Sequence, residues 1–296
     1  MTRPVVAGVD GSPSSRKAVG FAAHEAALRG AELRLVHAFG GAVPHVTPGA
    51  PHWHPGATGT RELVDGTLTE AERLAHRVAP RVEVSREVTV GEPLTVLEIA
   101  SRTASLVVVG NRGLSTFGSL LLGSTAGHLA AHARCPVLVV RGRDDPDGPV
   151  LVAVDEGSAS AAAVGFAFAE ASLRRADLLA AHVTGEGDPD AYDGPADPPF
   201  VTRDERRLRA NAEHVIDAAL AGARDRYPDV PVRRLPLVGH VRRSLIDASA
   251  DAQLMVVGAR GRGGFAGLLL GSVGHALLHH ARCPLVVVRV APAASG

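Results

Sequence analysis

The chain alternates short apolar runs with longer stretches in which apolar residues recur every three or four positions. Such runs are typical of strands buried on both faces, and the periodic stretches are typical of helices that pack on a sheet. Residues 5–9 and 33–39 read as strands. Residues 14–29 between them read as a helix that Ser14 caps and Gly30 ends. A strand–helix–strand unit of this kind crosses over with a right hand and predicts a parallel sheet.

The same alternation continues through the first half of the chain. Residues 40–60 are rich in glycine, proline and histidine and are predicted to form a loop. The elements that follow are a helix over 61–78, a strand over 82–90, a helix from 91–93 to 104, a strand over 106–109, a helix after Gly123 and a strand over 137–140. The predicted order is β-α-β-α-β-α-β-α-β, which describes an open parallel sheet of five strands with helices on both faces.

A second copy of this pattern follows the first. Between residues 107–140 and 255–288, 19 of 34 positions are identical by direct count, which indicates a tandem duplication. We predict one domain over residues 1–142 and another over 150–296, joined over 143–149 by a charged linker with proline and glycine. In the second copy, strands are predicted at 150–154, 178–183, 232–238, 254–257 and 285–288, with helices up to 175, over 202–226 and over 242–250.

The last strand of each copy is expected at an edge of its sheet. Unpaired strand edges favour pairing with another strand. We therefore expect residues 137–140 and 285–288 to pair with each other, so that the two domains form an internal pseudo-dimer.

Composition limits the classes of partner. Hydrophobic residues make up 46% of the chain and aromatic residues 3%, which is enough for two aliphatic cores. Lys+Arg and Asp+Glu both number 31, so net charge gives no indication of a nucleic-acid or membrane partner. No apolar run approaches the length of a membrane helix, and the N-terminal MTRPVVAGVD enters a strand at once. We expect a cytoplasmic protein without a signal peptide.

Two cysteines occupy equivalent positions in the copies. Cys135 and Cys283 both stand between arginine and proline at the head of a predicted strand. We expect them to be small core residues rather than a disulfide or a metal-binding pair.

Both copies carry the spacing Gly-x2-Gly-x9-Gly-Ser after a buried strand, with glycines at 110, 113 and 123 and again at 258, 261 and 271. Glycine lets backbone N–H groups approach a ligand closely. The helix that starts after the last glycine offers unpaired N–H groups and a positive dipole end, which suit phosphate. The alternative is that these glycines only make turns.

This spacing resembles the ATP-binding signature of the universal stress protein family, and the chain is similar to the tandem two-domain form found in bacteria. The resemblance covers nearly the whole chain and implies a Rossmann-like, adenine nucleotide alpha hydrolase-like fold. Two other phosphate motifs fail. Residues 118–125 imitate a P-loop without its lysine, and no Gly-x-Gly-x-x-Gly follows the first strand.

The resemblance implies ATP, with Mg²⁺, as the ligand of each domain. Matched position by position, the implied contact residues of the first domain are Gly8, Asp10, Ala38, Gly110, Asn111, Arg112, Gly113, Leu114, Ser115, Thr116, Gly123, Ser124 and Thr125. Those of the second domain are Ala153, Asp155, Val183, Gly258, Ala259, Arg260, Gly261, Arg262, Gly263, Gly264, Gly271, Ser272, Val273 and Gly274. The aspartate would meet ribose, Mg²⁺ or the triphosphate, the end of the second strand would meet adenine, and the loop and helix start would hold ribose and phosphates.

Several of these residues have a second interpretation. Asp10 and Asp155 follow a strand end, where aspartate often makes a turn or caps the next helix. Arg112 and Arg260 would supply a phosphate fork or be solvated surface residues.

The second domain departs from the first at three places. Ala153 replaces Gly8, Val273 replaces Thr125, and residues 262–264 are more cationic and flexible than 114–116. We expect two sites of unequal affinity.

Histidines in the first long loop are candidate metal ligands. His45, His52 and His54 include a His-x-His pair. No nearby cysteine or carboxylate completes a set, so a surface loop is the default interpretation.

Catalytic residues are hard to place in this sequence. Fast phosphoryl transfer uses a lysine in the phosphate loop, metal-binding carboxylates and a group that orients the nucleophile. Lys17 is the only lysine and lies in the first helix, neither glycine loop holds a carboxylate or histidine, and His132 and His280 are expected to be structural.

We therefore expect no catalytic residues and an ATP-binding regulator of stress or growth arrest with an unidentified protein partner. The alternatives are a slow ATPase, an autokinase with Ser115, Thr116 or Ser124 as acceptor, and a scaffold that nucleotide merely stabilises. A homodimer is compatible with the resemblance, although nothing in the sequence requires it.

Overall fold

The structure is a computed structural model, and it describes residues 2–39, 55–113, 123–143, 147–185, 205–261 and 269–289. The chain divides into two compact units, Met1–Val140 and Arg141–Gly296. Each unit is described on its own below.

The first unit contains a five-stranded sheet. Its elements are β1 (Val5–Gly8), α1 (Pro13–Arg29), β2 (Leu33–Phe39), α2 (Pro55–Val78), β3 (Val84–Val90), α3 (Pro93–Ala100), β4 (Leu106–Gly110), α4 (Ser124–His132) and β5 (Val137–Val140). The strand order is β3-β2-β1-β4-β5, and every neighbouring pair is parallel. The strands that follow β1 in the chain are added first on one side (β2 and β3) and then on the other (β4 and β5), so the strand order reverses between β1 and β4. Open α/β sheets place their ligands at such a reversal.

The second unit repeats this architecture. Its elements are β6 (Val150–Ala153), α5 (Ser158–Arg174), β7 (Leu178–Thr184), α6 (Glu205–Arg224), β8 (Val232–Val238), α7 (Val241–Ala248), a short 3-10 helix (Ser249–Asp251), β9 (Leu254–Gly258), α8 (Ser272–His280) and β10 (Leu285–Val288). The order is β10-β9-β6-β7-β8, again parallel throughout. The prediction of two tandem open parallel five-stranded sheets is confirmed.

The central strands form the core of each unit. Val5, Val6 and Ala7 in β1 have no exposed surface, and the apolar residues of β4 are buried as well. Helices α1 and α2 pack beside each other, as do α3 and α4, and helices of both pairs contact strands. Small alanines on the buried side of α1 let this helix approach the sheet closely.

Some element boundaries differ from those predicted. Helix α2 begins at Pro55, so residues 55–60 are helical rather than part of the loop; a proline fits the first position of a helix. Helix α3 ends at Ala100 instead of residue 104. After Ala100 the backbone tightens, because the Arg102 N–H donates to the Ile99 carbonyl and the Thr103 N–H to the Ala100 carbonyl. The buried Ser101 anchors this end of the helix: its hydroxyl donates to the Glu98 carbonyl at 2.6 Å and accepts the Arg134 N–H at 2.9 Å.

Each unit contains a buried ion pair that the hydrophobic pattern did not reveal. Glu25 pairs with Arg29 one turn later in α1, and Glu170 pairs with Arg174 in α5. The glutamate side chains are both 2% exposed. Four-residue spacing on a helix brings the two side chains together, and a buried carboxylate needs such a partner.

The two cysteines are free and buried, as predicted. Burial raises the pKa of Cys135 and of Cys283 to about 12. Both thiols therefore stay protonated at neutral pH and behave as small core residues. Within the described ranges, no helix is long and apolar enough to cross a bilayer.

Candidate functional site

The turn after β1 is organised around Asp10. Its Oδ1 accepts a hydrogen bond from the Ser12 N–H at 2.9 Å, and its own N–H donates to Ser15 Oγ at 3.1 Å. Ser12 caps α1, because its hydroxyl oxygen accepts the Ser15 N–H at 3.1 Å. One carboxylate oxygen of Asp10 thus makes an ordinary turn contact. The N-cap predicted at Ser14 is wrong, because Ser14 lies inside the first turn of the helix.

Asp155 makes the same turn in the second unit. Its Oδ1 accepts the Gly157 N–H at 2.9 Å, and its N–H donates to Ser160 Oγ at 3.1 Å. The residue that caps α5 is Gly157, which has no hydroxyl to offer. The aspartate turn is therefore conserved between the repeats, whereas the side-chain cap is not.

Gly110, the first glycine of the loop, packs against α1. A Cβ at Gly110 would lie 2.3 Å from Ser14 Oγ and 2.7 Å from the Ser14 carbonyl carbon. At Gly258 the corresponding distance to Ala159 is 3.0 Å. Glycine is needed here because the helix start lies directly on the strand end. The sequence suggested either close approach of a ligand or a simple turn as the reason for this glycine, and the structure shows a third reason, contact with the helix start.

Gly113, the second glycine, lies against the free side of the aspartate. A Cβ at Gly113 would be 3.1 Å from Asp10 Oδ2, and one at Gly261 would be 2.5 Å from Asp155 Oδ2. The first residues of each loop, 110–113 and 258–261, are called the loop opening below. In both units the loop opening lies against the second carboxylate oxygen. This contact brings the predicted aspartate and the predicted loop into one site.

The third glycine ties the end of the loop back to its beginning. The Gly123 N–H donates to the Asn111 carbonyl at 2.9 Å, and the Gly271 N–H donates to the Ala259 carbonyl at 2.9 Å. Helices α4 and α8 start directly after these glycines. Their unpaired N–H groups are consequently held beside the loop opening, where an anion would be stabilised.

The first residues of these two helices carry the predicted hydroxyls. Ser124 and Ser272 are exposed, and Thr125 and Val273 are half-buried. No side chain caps either helix, since the N-cap residues are Gly123 and Gly271. Each helix therefore has a serine hydroxyl at its first position, where no side chain caps the helix. The first unit has a further hydroxyl on Thr125 at the second position, and Val273 has none. Gly274 is buried in the first turn of α8.

Gly8 and Ala38 lie near the carboxyl ends of two neighbouring strands, β1 and β2. A Cβ at Gly8 would lie 3.0 Å from a methyl group of Leu97 on α3, so this position faces the helix rather than Asp10. Ala153 shows that the second unit accepts a methyl group there. Ala38 is half-buried near the carboxyl end of β2, and Val183 occupies the equivalent position on β7.

Two histidines beside the site were missed by sequence reasoning. His37 Nδ1 lies 2.7 Å from the Val9 carbonyl, and His182 Nδ1 lies 2.8 Å from the Val154 carbonyl. A carbonyl only accepts, so Nδ1 carries the proton in both rings. Each ring thus holds the residue that precedes the aspartate. The available signal was the histidine at the same position of the second strand in both repeats.

The arginines named from the sequence lie at the surface in the first residues of each loop, and the histidines lie in the last turns of α4 and α8. Arg112 and Arg260 are exposed. His132 Nδ1 is 3.0 Å from the His128 carbonyl within α4, and His280 is exposed in the last turn of α8. Next to it, burial and then the neighbouring charge of His275 lower the pKa of His279.

Several predicted residues lie outside the described part of the chain. These are the loop residues Leu114, Ser115, Thr116, Arg262, Gly263 and Gly264 and the candidate metal ligands His45, His52 and His54. Among the residues that the structure does describe, no group of three or more His, Cys, Asp or Glu could hold a metal ion.

Comparison with known sequences matches both units to one family. The match to the universal stress protein family covers residues 1–141 and again residues 148–289. The chain belongs to the universal stress protein family. The two matched ranges include both aspartate turns and both glycine loops, so family membership applies to each unit separately.

Members of this family with a similar length resemble the chain from end to end. Universal stress protein Rv2623 of Mycobacterium tuberculosis (strain ATCC 25618 / H37Rv) is 37% identical over 295 residues, 96% of each chain. Universal stress protein Rv2005c of the same strain is 36% identical over 295 residues, again 96% of each. A crystal structure of a universal stress protein from Archaeoglobus fulgidus DSM 4304 matches with a TM-score of 0.67 at 20% identity, covering 98% of this chain and 97% of that one. The sequence matches show the family, and the structural match shows the fold.

Proposed function

We propose that the protein binds ATP, one molecule in each unit, and acts as a regulatory universal stress protein whose nucleotide occupancy changes its shape or its choice of partner. The observation that carries this proposal is the closure of each glycine loop on an aspartate. In both units the second glycine lies beside the carboxylate, and the glycine that precedes the helix donates a backbone hydrogen bond to the residue after the first glycine.

The groups at this site suit the parts of a nucleotide. The N–H groups and the Ser124 hydroxyl at the start of α4 would hold phosphate oxygens. Oδ2 of Asp10 would accept a ribose hydroxyl or approach the Mg²⁺ that accompanies a triphosphate. The backbone near Ala38, on the adjoining strand, would meet the adenine edge. The second unit offers the same groups through Ser272, Asp155 and Val183.

The composition of the site favours binding over turnover. In the described residues, each loop opening has one carboxylate beside it, and Oδ1 of that carboxylate is already engaged by the turn. Lys17, the sole lysine of the chain, is an exposed residue of α1. Phosphoryl transfer at a high rate uses a phosphate-loop lysine and metal-binding carboxylates. We therefore expect little or no hydrolysis, with a slow ATPase or autokinase as the alternative.

A negative charge introduced at the helix starts tests this proposal. We would prepare Ser124→Glu, Ser272→Glu and the double variant, and measure Mg-ATP binding by calorimetry and by native mass spectrometry of the full chain. A carboxylate at the first helical position is compatible with the helix dipole, so the fold should persist. Its charge within about 4 Å of a phosphate should weaken that site by roughly tenfold or more.

Neutral variants provide the matched control. Ser124→Gln and Ser272→Gln have nearly the size of glutamate without its charge and should bind far better than the glutamate variants. At nucleotide concentrations between the wild-type and the weakened dissociation constants, we expect the wild type to take up two nucleotides, each single glutamate variant about one, and the double variant almost none. No uptake by the wild type at ~1 mM Mg-ATP, or equal uptake by the wild type and the double variant, would overturn the proposal.

A further inference from the structure

The two loop openings are attached to their helices in different ways. In the first unit, Ser14 Oγ donates to Asn111 Oδ1 at 2.9 Å and accepts the Arg112 N–H at 3.3 Å. One hydroxyl on the first turn of α1 thus holds two successive loop residues. Ser14 precedes these two residues by 97 and 98 positions in the chain, so this contact joins the helix start to the loop on the far side of the sequence.

The second unit lacks the side chains for this connection. Ala159 stands where the first unit has Ser14, and Ala259 stands where it has Asn111. Neither methyl group can donate or accept a hydrogen bond. The backbone bond from Gly271 to Ala259 matches that from Gly123 to Asn111 at 2.9 Å. The units therefore share the backbone closure and differ in the side-chain connection.

We propose that the Ser14–Asn111 hydrogen bond is a latch that fixes the first loop opening before nucleotide arrives, so that the first unit fills before the second. This inference rests on the proposed function for its binding step. The apparent affinity of a site is reduced in proportion to the fraction of time that its loop spends outside the binding conformation. A loop that is already rigid in that conformation avoids this reduction. The side chains that form this latch are present in the first unit and are replaced by Ala159 and Ala259 in the second.

The latch has a direct observable in the nucleotide-free protein. Because Ser14 Oγ accepts the Arg112 N–H, this amide should exchange its hydrogen more slowly than the Arg260 amide, by roughly tenfold for one hydrogen bond of ordinary strength. Residue-resolved hydrogen exchange on the full chain measures both amides in one sample. Ser14→Ala should bring the exchange rate at Arg112 close to that at Arg260.

Reciprocal variants test the consequence for binding. Ser14→Ala gives the first unit the residue that the second unit tolerates naturally, and Ala159→Ser with Ala259→Asn builds the latch in the second unit. Each would be measured with the other site blocked by Ser272→Glu or Ser124→Glu. We expect Ser14→Ala to weaken the first site about fivefold and the double replacement to strengthen the second site by a similar factor.

The two measurements separate the latch from the proposed function. Equal exchange at Arg112 and Arg260, unchanged by Ser14→Ala, would overturn the latch whether or not ATP binds. If the Arg112 amide exchanges more slowly than the Arg260 amide but the replacements leave both nucleotide affinities unchanged, the latch has no role in the filling order. A wild type with the exchange difference but no nucleotide binding would refute the proposed function and leave the loop geometry intact. Thermal unfolding of each variant checks that it folds.

Discussion

The glycines of the loop should differ sharply in what they tolerate, because each faces a different neighbour. At Gly110 an added methyl group would lie 2.3 Å from Ser14 Oγ, 2.7 Å from its carbonyl carbon and 2.8 Å from its carbonyl oxygen. Two of these atoms are backbone, so no rotamer change relieves the contact. At Gly123 the nearest atom would be 3.4 Å away, which is an ordinary contact.

The distances set the expected costs. Normal carbon contacts require about 3.5 Å or more, so Gly110→Ala must displace the start of α1 by roughly 1 Å. Overpacking of this kind costs about 1–3 kcal/mol. A Gly→Ala replacement also reduces the chain entropy lost on folding, by about 0.4–1 kcal/mol. The net destabilisation is then about 0–2.6 kcal/mol, and about 1.3 kcal/mol at the middle of the two ranges. For Gly123→Ala we expect a change within about 0.5 kcal/mol, because alanine is a poorer N-cap than glycine by roughly 0.5–1 kcal/mol and the smaller entropy loss offsets about the same amount.

Urea unfolding followed by circular dichroism would measure the two variants in the same unit. Gly258→Ala, at 3.0 Å from Ala159, should fall between them, although it reports on the second unit. Equal unfolding midpoints for Gly110→Ala and Gly123→Ala would refute the packing argument. If the ordering holds, loss of nucleotide binding in Gly110→Ala cannot by itself identify a ligand contact, because the variant also displaces α1.

Four further outcomes are expected. Glu25→Gln removes one partner of a buried ion pair and should destabilise the protein by about 3 kcal/mol in urea unfolding, whereas Glu205→Gln, whose ion pair is exposed, should change stability by less than about 0.5 kcal/mol. Because burial raises the pKa of Cys135 and of Cys283 to about 12, neither thiol should react with a disulfide reagent at pH 8 unless the protein unfolds; rapid labelling of the native protein would contradict this. His37→Ala should lower stability by about 1 kcal/mol through loss of the bond to the Val9 carbonyl, and His37→Asn, which keeps a donor, should recover part of it. Overnight incubation with Mg-ATP should yield no ADP and no phosphorylated protein beyond a protein-free control; either product would favour the enzyme alternative.

Strands β5 and β10 occupy the ranges predicted for them, because a parallel strand buried on both faces needs a continuous apolar run. Strands β2 and β8 also occupy their predicted ranges, although arginines interrupt both and no residue of β8 is buried. Helix boundaries were less accessible. Helix α2 starts six residues earlier than the periodic pattern indicated, and the end of α3 depends on a serine that contacts the turn before β5.

The residues of the candidate site were predictable only in part, because some of its contacts join residues that are distant in the chain. Family resemblance and spacing led to the aspartates and the glycines, and the structure places Asp10 beside Gly113. The contact between Ser14 and Asn111 and the one between His37 and Val9 join residues that are far apart in the chain. A local pattern contains no information about such pairs, so only the fold could reveal them.

The glycine spacing is therefore weaker evidence for a ligand than it first appears, and the repeat shows why. Gly110 and Gly258 are explained by helix α1 or α5 lying on the strand end, a requirement that would persist without any nucleotide. Gly113 and Gly261 are different, because the atom they approach is a carboxylate oxygen rather than a core atom. Close packing against a helix accounts for the first glycine and does not account for a carboxylate oxygen beside the second. The second glycine of each loop is therefore the position that points to a nucleotide site, and variants there carry more information about binding than variants at the first glycine.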